Sequence, residues 1–104
     1  MSEVSINNGN IEREVFFSDI PVILKFWAEW CEPCRKVSAE IDRLREDNAL
    51  QFKLASLNAD DYPELMPRFS VFCLPTLVIV KNGTVCCSLE GYHSKEQIMS
   101  CLAQ

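Results

Sequence analysis

Residues 30–34 read Trp30-Cys31-Glu32-Pro33-Cys34 and lie between two segments of different periodicity. The segment before them, Val22 to Ala28, is apolar except for Lys25, as expected for a buried strand. The segment after them repeats apolar residues at spacings of four and three, as an amphipathic helix does. The two cysteines are therefore predicted where a strand ends and a helix begins. There they can close a small disulfide, and the helix dipole favours the thiolate of the first cysteine.

A zinc site is the other structure that contains such a cysteine pair, and it needs four ligands. The sequence has no second Cys-x-x-Cys and a single histidine, His93, which lies in a predicted loop. The remaining cysteines, Cys73, Cys86, Cys87 and Cys101, have irregular spacing. We therefore expect redox chemistry and no metal site.

Length and charge restrict the function further. The 104 residues predict a single domain, 1–104, and the apolar share of 48% is enough for a core. The net charge is -5 without a basic cluster, so nucleic acid is not expected as a partner. Residues 1–14 lack the apolar core of a signal peptide, and no run is long enough to span a membrane. These features predict a protein of the reducing cytoplasm, where such a cysteine pair indicates redox activity.

The order of predicted elements is that of an α/β protein. The first half predicts a short edge strand at Val4 to Ile6, a helix from Ile11 to Phe17 with Asn10 as N-cap, a central strand at Pro21 to Ala28, and a helix from Cys34 to about Asp47. The second half predicts a strand at Gln51 to Ala59, a short helix through Phe69 capped by Asp60 or Asp61, and an antiparallel pair, Leu77 to Val80 and Val85 to Leu89, joined at Asn82-Gly83. A capping box, Ser94 to Gln97, opens a last helix whose inner face is Ile98, Cys101 and Leu102.

Several motifs together resemble the thioredoxin family. They are Phe26-Trp27-Ala28-Glu29-Trp30-Cys31, Pro33-Cys34, Leu74-Pro75-Thr76, Lys81-Asn82-Gly83 and Gly91, and the likeness extends from about Phe16 to Leu102. The resemblance implies a thioredoxin fold, a central mixed β-sheet flanked by α-helices. It also implies that Cys31 is the attacking thiol, that Cys34 is the resolving thiol, and that Pro75 is cis. The residues implied in substrate binding are Trp30, Leu74, Pro75, Thr76 and Gly91.

The implied activity is that of a thiol-disulfide oxidoreductase that reduces protein disulfides through a mixed disulfide. Implied with it are disulfide-containing protein substrates, a monomeric state, and no bound cofactor. Electrons would come from NADPH through thioredoxin reductase. Two alternatives stay open: a disulfide oxidant or isomerase, and a redox-inactive binding module that uses the Leu74-Pro75 groove.

Three positions depart from the family pattern. Glu32 stands where the family usually has Gly, and its carboxylate disfavours the Cys31 thiolate. Lys25 stands where the family usually has a buried Asp, and Ser56 where it usually has Lys. The Lys25 ammonium favours a nearby thiolate, and a deprotonated Lys25 can itself accept a proton, so this residue is a candidate modulator. Ala39 replaces a proline expected inside the long helix, which affects helix shape more than chemistry.

The remaining cysteines and tryptophans allow weaker inferences. Cys73 precedes the Leu74-Pro75 motif and is either a regulatory thiol or a small residue tolerated in place of glycine. Cys86 and Cys87 point to opposite faces of their strand and cannot readily pair with each other, and Cys101 is expected in the core. Trp30 is expected beside the thiols. Trp27 is expected beneath them, with its indole N–H on Asp60.

Overall fold

A computed structural model describes residues 3–47 and 51–104 of the chain. The strands are β1 (Val4–Ser5), β2 (Val22–Trp27), β3 (Lys53–Asn58), β4 (Thr76–Lys81) and β5 (Thr84–Glu90). The helices are α1 (Glu32–Asp47), α2 (Leu65–Arg68) and α3 (Lys95–Leu102), and a π-helical turn covers Glu12–Phe16. None of the helices described is long and apolar enough to cross a bilayer.

The five strands form one mixed sheet in the order β1-β3-β2-β4-β5. β1 and β2 run parallel to β3, whereas β4 runs antiparallel to β2 and β5 antiparallel to β4. β2 is the central strand, and its apolar residues point into the cores on both faces of the sheet. Leu24 and Phe26 belong to the core that contains residues of the π-helical turn and α2. Ile23 belongs to the opposite core, shared with α1 and α3. The predicted central mixed sheet flanked by helices is confirmed.

Local sequence signals placed the hairpin and the last helix correctly. Asn82 and Gly83 have positive φ values of 52° and 77°, as a tight turn between β4 and β5 requires. The Ser94 side chain accepts the Gln97 N–H, and the Gln97 side chain accepts the Ser94 N–H, so the predicted capping box is formed. Ile98, Cys101 and Leu102 are buried, as predicted.

Two predicted caps are wrong. Asn10 does not cap the π-helical turn, because its side chain accepts the Asn7 N–H and donates to the Ser5 carbonyl. Neither Asp60 nor Asp61 caps α2, which starts after Glu64 and has no side-chain cap. α1 also begins at Glu32, earlier than predicted, so Glu32, Pro33 and Cys34 all lie in its first turn.

Candidate active site

Cys31 and Cys34 form a disulfide at the start of α1, as their spacing predicted. Their Cα atoms are 5.3 Å apart, and each residue is only 3% exposed. The Cys34 backbone N–H donates to the Cys31 sulfur over 3.2 Å. That N–H is one of the free donors of a helix N-terminus, where negative charge is stabilised. The position therefore favours a thiolate on Cys31 once the disulfide opens.

The segment from Cys73 to Thr76 contacts the cluster that contains this disulfide through Leu74. The Leu74-Pro75 peptide bond is cis, as predicted, and Leu74 packs on the small cluster that contains both cysteines. The Gly91 N–H donates to the Pro75 carbonyl over 2.7 Å, and the Thr76 hydroxyl donates to the Cys73 carbonyl over 2.9 Å. Thr76 is buried, so its side chain supports the segment from inside. The structure thus brings Leu74 to the cysteine pair, and Pro75, the next residue, is hydrogen-bonded to Gly91.

Two large apolar side chains at this end of the molecule are open to solvent. Trp30 is 70% exposed and Phe72 is 76% exposed. Trp30 was predicted from the sequence, whereas Phe72 was missed. Its position directly before Cys73-Leu74-Pro75 was the available signal. Exposed aromatic side chains next to a reactive group are suited to contact a protein substrate.

The predicted contact between Trp27 and Asp60 is wrong. The indole that donates to Asp60 is that of Trp30, over 2.9 Å. The indole N–H of Trp27 is buried and has no hydrogen-bond partner within residues 3–47 and 51–104. Asp60 therefore holds the exposed Trp30 instead of the partly buried Trp27.

The other four cysteines divide into two groups. Cys73 and Cys86 are free and exposed, and the Cys73 thiol donates weakly to Glu90 over 3.5 Å. Cys87 and Cys101 form a second disulfide between β5 and α3. The sequence placed Cys86 and Cys87 on opposite faces and Cys101 in the core, but it did not reveal this pairing.

Lys25 is buried in β2 and has two polar partners. Its ammonium lies 3.0 Å from a Glu3 carboxylate oxygen and donates to the Ser38 hydroxyl over 3.0 Å. Burial raises the pKa of Glu3, but hydrogen bonds from Lys25 and Ser56 and the Lys25 charge outweigh it, so the pKa is lowered overall. Glu3 was not predicted from the sequence. The signal was a lysine in an otherwise apolar central strand, which requires a carboxylate nearby.

Lys25 and Cys34 line the same cleft, which has a volume of about 510 Å³. Ser38 and Asp42 from α1 also line it. The cleft therefore places the Lys25 side chain and Cys34 on one surface. Within residues 3–47 and 51–104, no group of three His, Cys, Asp or Glu side chains is arranged to hold a metal ion.

Comparison with known proteins decides the family. The sequence model of the family described as "Thioredoxin" matches residues 2–104. The chain belongs to the thioredoxin family. A thioredoxin of Haemophilus influenzae is 38% identical over 105 residues, which cover 100% of this chain and 98% of that protein. A thioredoxin of Pseudomonas aeruginosa is 34% identical over 104 residues, covering 98% and 96% of the two chains. "Thioredoxin M4, chloroplastic" of Arabidopsis thaliana is 33% identical over 94 residues, covering 90% of this chain and 49% of that protein.

Membership of the thioredoxin family confirms the predicted activity class. The protein is a thiol-disulfide oxidoreductase of the protein-disulfide reductase type. Thioredoxins need no bound cofactor, and their family implies disulfide substrates and thioredoxin reductase as partners.

Residues that depart from the thioredoxin pattern contact polar or charged partners nearby. The Glu32 carboxylate lies 3.6 Å from the Arg35 guanidinium, and both side chains are exposed. Arg35 also donates to the Glu29 carbonyl over 2.9 Å, which fixes the guanidinium beside the cysteine segment. Ser56, where the family usually has Lys, hydrogen-bonds with Glu3. The site also contains an ion pair between the buried Lys25 side chain and the partly exposed Glu3 side chain.

Proposed function

We propose that Cys31 is the attacking thiol of this reductase and Cys34 the resolving thiol. The observation that carries the proposal is the Cys34 N–H directed at the Cys31 sulfur. The Cys31 thiolate attacks one sulfur of a substrate disulfide, which forms a mixed disulfide and releases the other sulfur as a thiolate. Cys34 then loses its proton and attacks the Cys31 sulfur. The substrate leaves as a dithiol, and the protein retains the Cys31-Cys34 disulfide.

The proposed substrate groove runs between Trp30 and the cis-proline segment. Leu74, Pro75 and Gly91 form its floor, and Thr76 fixes the floor from inside. Support comes from the exposed Trp30 and from the hydrogen bonds that hold Pro75 to Gly91 and Thr76 to Cys73. An extended peptide that pairs through its backbone fits such a groove with little dependence on its sequence. Cys73 lies at the same end and is a proposed regulatory thiol.

Lys25 is proposed to act on Cys34 through the cleft that both residues line. A nearby ammonium favours the thiolate of a resolving cysteine. Glu3 and Ser38 hold the ammonium in place, and Asp42 and Arg35 are the other charged α1 residues on this cleft. Lys25 is thus a positioning residue. In Lys25→Met, the pH profile of the resolving step should move to higher pH, while the first attack by Cys31 keeps its profile.

The proposed physiological role is electron transport that maintains cell redox homeostasis in the cytoplasm. Electrons would come from NADPH through thioredoxin reductase, and a single monomeric domain, 1–104, would carry them. Disulfide-containing proteins are the acceptors. The similarity to bacterial thioredoxins over nearly the whole chain supports this role.

The test uses two matched variants in a lysate that contains disulfide-bonded proteins. Cys34→Ser should trap mixed disulfides between Cys31 and its substrates, because the resolving attack is lost. Cys31→Ser should trap far fewer, because the Cys34 N–H at the helix N-terminus favours a thiolate on Cys31 and not on Cys34. Equal trapping by both variants would contradict the assigned roles. If Cys31→Ser also kept its normal partner binding and cellular function, the protein would be a binding module.

A further inference from the structure

A second pair of cysteines joins the edge of the sheet to the last helix. Cys87 in β5 and Cys101 in α3 have Cα atoms 6.2 Å apart, within the range that a disulfide spans. We propose that they form a second thiol-disulfide couple, separate from the active site, which a small disulfide oxidises and which fixes α3 to β5.

The surroundings of the two sulfurs favour a specific pairing. Cys101 is 2% exposed on the inner face of α3, within the core that also contains Ile98 and Leu102. Cys87 is partly buried and packs against that core. Its neighbour Cys86 lies where the β4-β5 register shifts; it is exposed, and its thiol contacts the Thr84 carbonyl. Of the two adjacent cysteines, Cys87 is therefore the one that reaches Cys101.

The difference in exposure between Cys87 and Cys101 sets the order of the two reaction steps. The Cys87 thiolate, the more accessible of the two, attacks one sulfur of a small disulfide such as glutathione disulfide. That S–S bond breaks, one glutathione thiol leaves, and Cys87 holds a mixed disulfide. The Cys101 thiolate then attacks the Cys87 sulfur and displaces the second glutathione thiol. Two protein thiols are oxidised by two electrons, and the small disulfide is reduced to two thiols that take up the two protons.

The couple lies away from the catalytic groove. Cys87 pairs with Ile79 in the interior of the β4-β5 ladder, whereas Gly91 lies beyond the end of β5 and contacts Pro75. Among the described residues β5 lies at the edge of the sheet beside β4, so a covalent link to α3 secures the sheet edge. Oxidation at this pair should change stability and leave disulfide reduction by Cys31 and Cys34 in place.

Peptide mapping can test the pairing directly. The double variant Cys31→Ser/Cys34→Ser removes the active-site couple and leaves Cys73, Cys86, Cys87 and Cys101. After equilibration with glutathione disulfide and cleavage after Lys81 and Lys95, the peptide 82–95 should be linked to the peptide 96–104. Mass spectra that show these peptides only as thiols or glutathione adducts would overturn the proposal.

Matched single variants assign the sulfur, because peptide 82–95 contains both adjacent cysteines. Added to the double variant, Cys86→Ser should keep the cross-link and Cys87→Ser should abolish it; the reverse result would overturn the assignment.

In the Cys86→Ser protein, reduction of the pair should lower Tm by roughly 10 °C, since the linked cysteines are 14 residues apart in sequence. An unchanged Tm would contradict the role in fixing α3. A Cys87→Ser variant that keeps Cys31 and Cys34 should reduce protein disulfides at the normal rate. The cross-link is measured in variants that lack Cys31 and Cys34, so it does not depend on the roles proposed for those two residues.

Discussion

The ion pair between Glu3 and Lys25 can be tested by Glu3→Gln. This change removes the carboxylate charge and leaves the buried Lys25 ammonium with the Ser38 hydroxyl as its partner. Removing one member of a fully buried pair costs about 3–5 kcal/mol, whereas a surface pair contributes about 0.2–1 kcal/mol. The Lys25 side chain is 9% exposed and that of Glu3 is 36% exposed, so the pair lies between these limits. We expect Glu3→Gln to lower the free energy of unfolding by about 1–2 kcal/mol.

The assay is urea unfolding at pH 7, arranged as a double-mutant cycle with Lys25→Met. Without the ammonium, Glu3 has no buried charge to balance, so Glu3→Gln should cost less than about 0.5 kcal/mol in the Lys25→Met background. Glu12→Gln is the matched control, because Glu12 pairs with Arg68 where the side chains are 55% and 42% exposed. It should cost less than about 0.5 kcal/mol. The same loss for Glu3→Gln in both backgrounds would refute the ion-pair account.

Three further predictions concern the stability of the fold and test Ser94, Gly91 and Glu40. Ser94→Ala removes the cap of α3 and should lower the free energy of unfolding by about 1 kcal/mol in urea titrations, whereas Ser100→Ala on the exposed face of the same helix should have little effect. Gly91→Ala should lower the free energy of unfolding by about 1–2 kcal/mol because φ is 80° there, although among residues 3–47 and 51–104 no atom beyond its two chain neighbours lies within 4 Å of the added methyl group; an unchanged free energy would contradict this backbone strain. The pKa of Glu40 is lowered chiefly by the hydrogen bond from the Lys95 backbone N–H. Ionised Glu40 should therefore stabilise the folded protein fully above the ordinary carboxyl pKa of about 4.3. This stabilisation should be lost as the pH falls through the lowered pKa of the folded state. Glu40→Gln should flatten this acid limb in unfolding measured from pH 7 to pH 2.

Local signals in the sequence were sufficient to predict the central strand, the hairpin turn, the last helix and the position of the cysteine pair. The apolar run of β2 predicted a central strand because a strand covered on both faces needs apolar residues at successive positions. Asn82-Gly83 and the Ser94 capping box predicted their turn and helix because both motifs act within four residues. The cysteine pair was likewise recognisable from its position between a strand and a helix.

Long-range pairings could not be predicted in the same way. Glu3 reaches Lys25 because β1 lies beside β3 and Ser56, an arrangement that exists only once the strands are ordered. Cys87 and Cys101 meet because α3 folds back on β5. Asp60 was assigned to a cap and to Trp27, and it contacts Trp30 instead. In each case several partners were compatible with the local pattern, and tertiary packing selected one.

The charges that distinguish this site from other thioredoxins largely cancel in pairs. Glu32 faces Arg35 at 3.6 Å and Lys25 faces Glu3 at 3.0 Å, so each pair presents a dipole to Cys31 in place of a full charge. The helix N-terminus and the Cys34 N–H then dominate the stability of the Cys31 thiolate, and the reduction potential should lie near the roughly -270 mV of thioredoxin. Arg35→Ala exposes the Glu32 charge, destabilises the thiolate and should make the potential more negative by about 5–20 mV, since 30 mV corresponds to about 1.4 kcal/mol and a surface pair contributes less than that. The double variant Glu32→Gln/Arg35→Ala should return to the original potential. A value of about -120 to -180 mV for the unmodified protein would instead indicate an oxidant or isomerase, and would mean that the two pairs do not cancel.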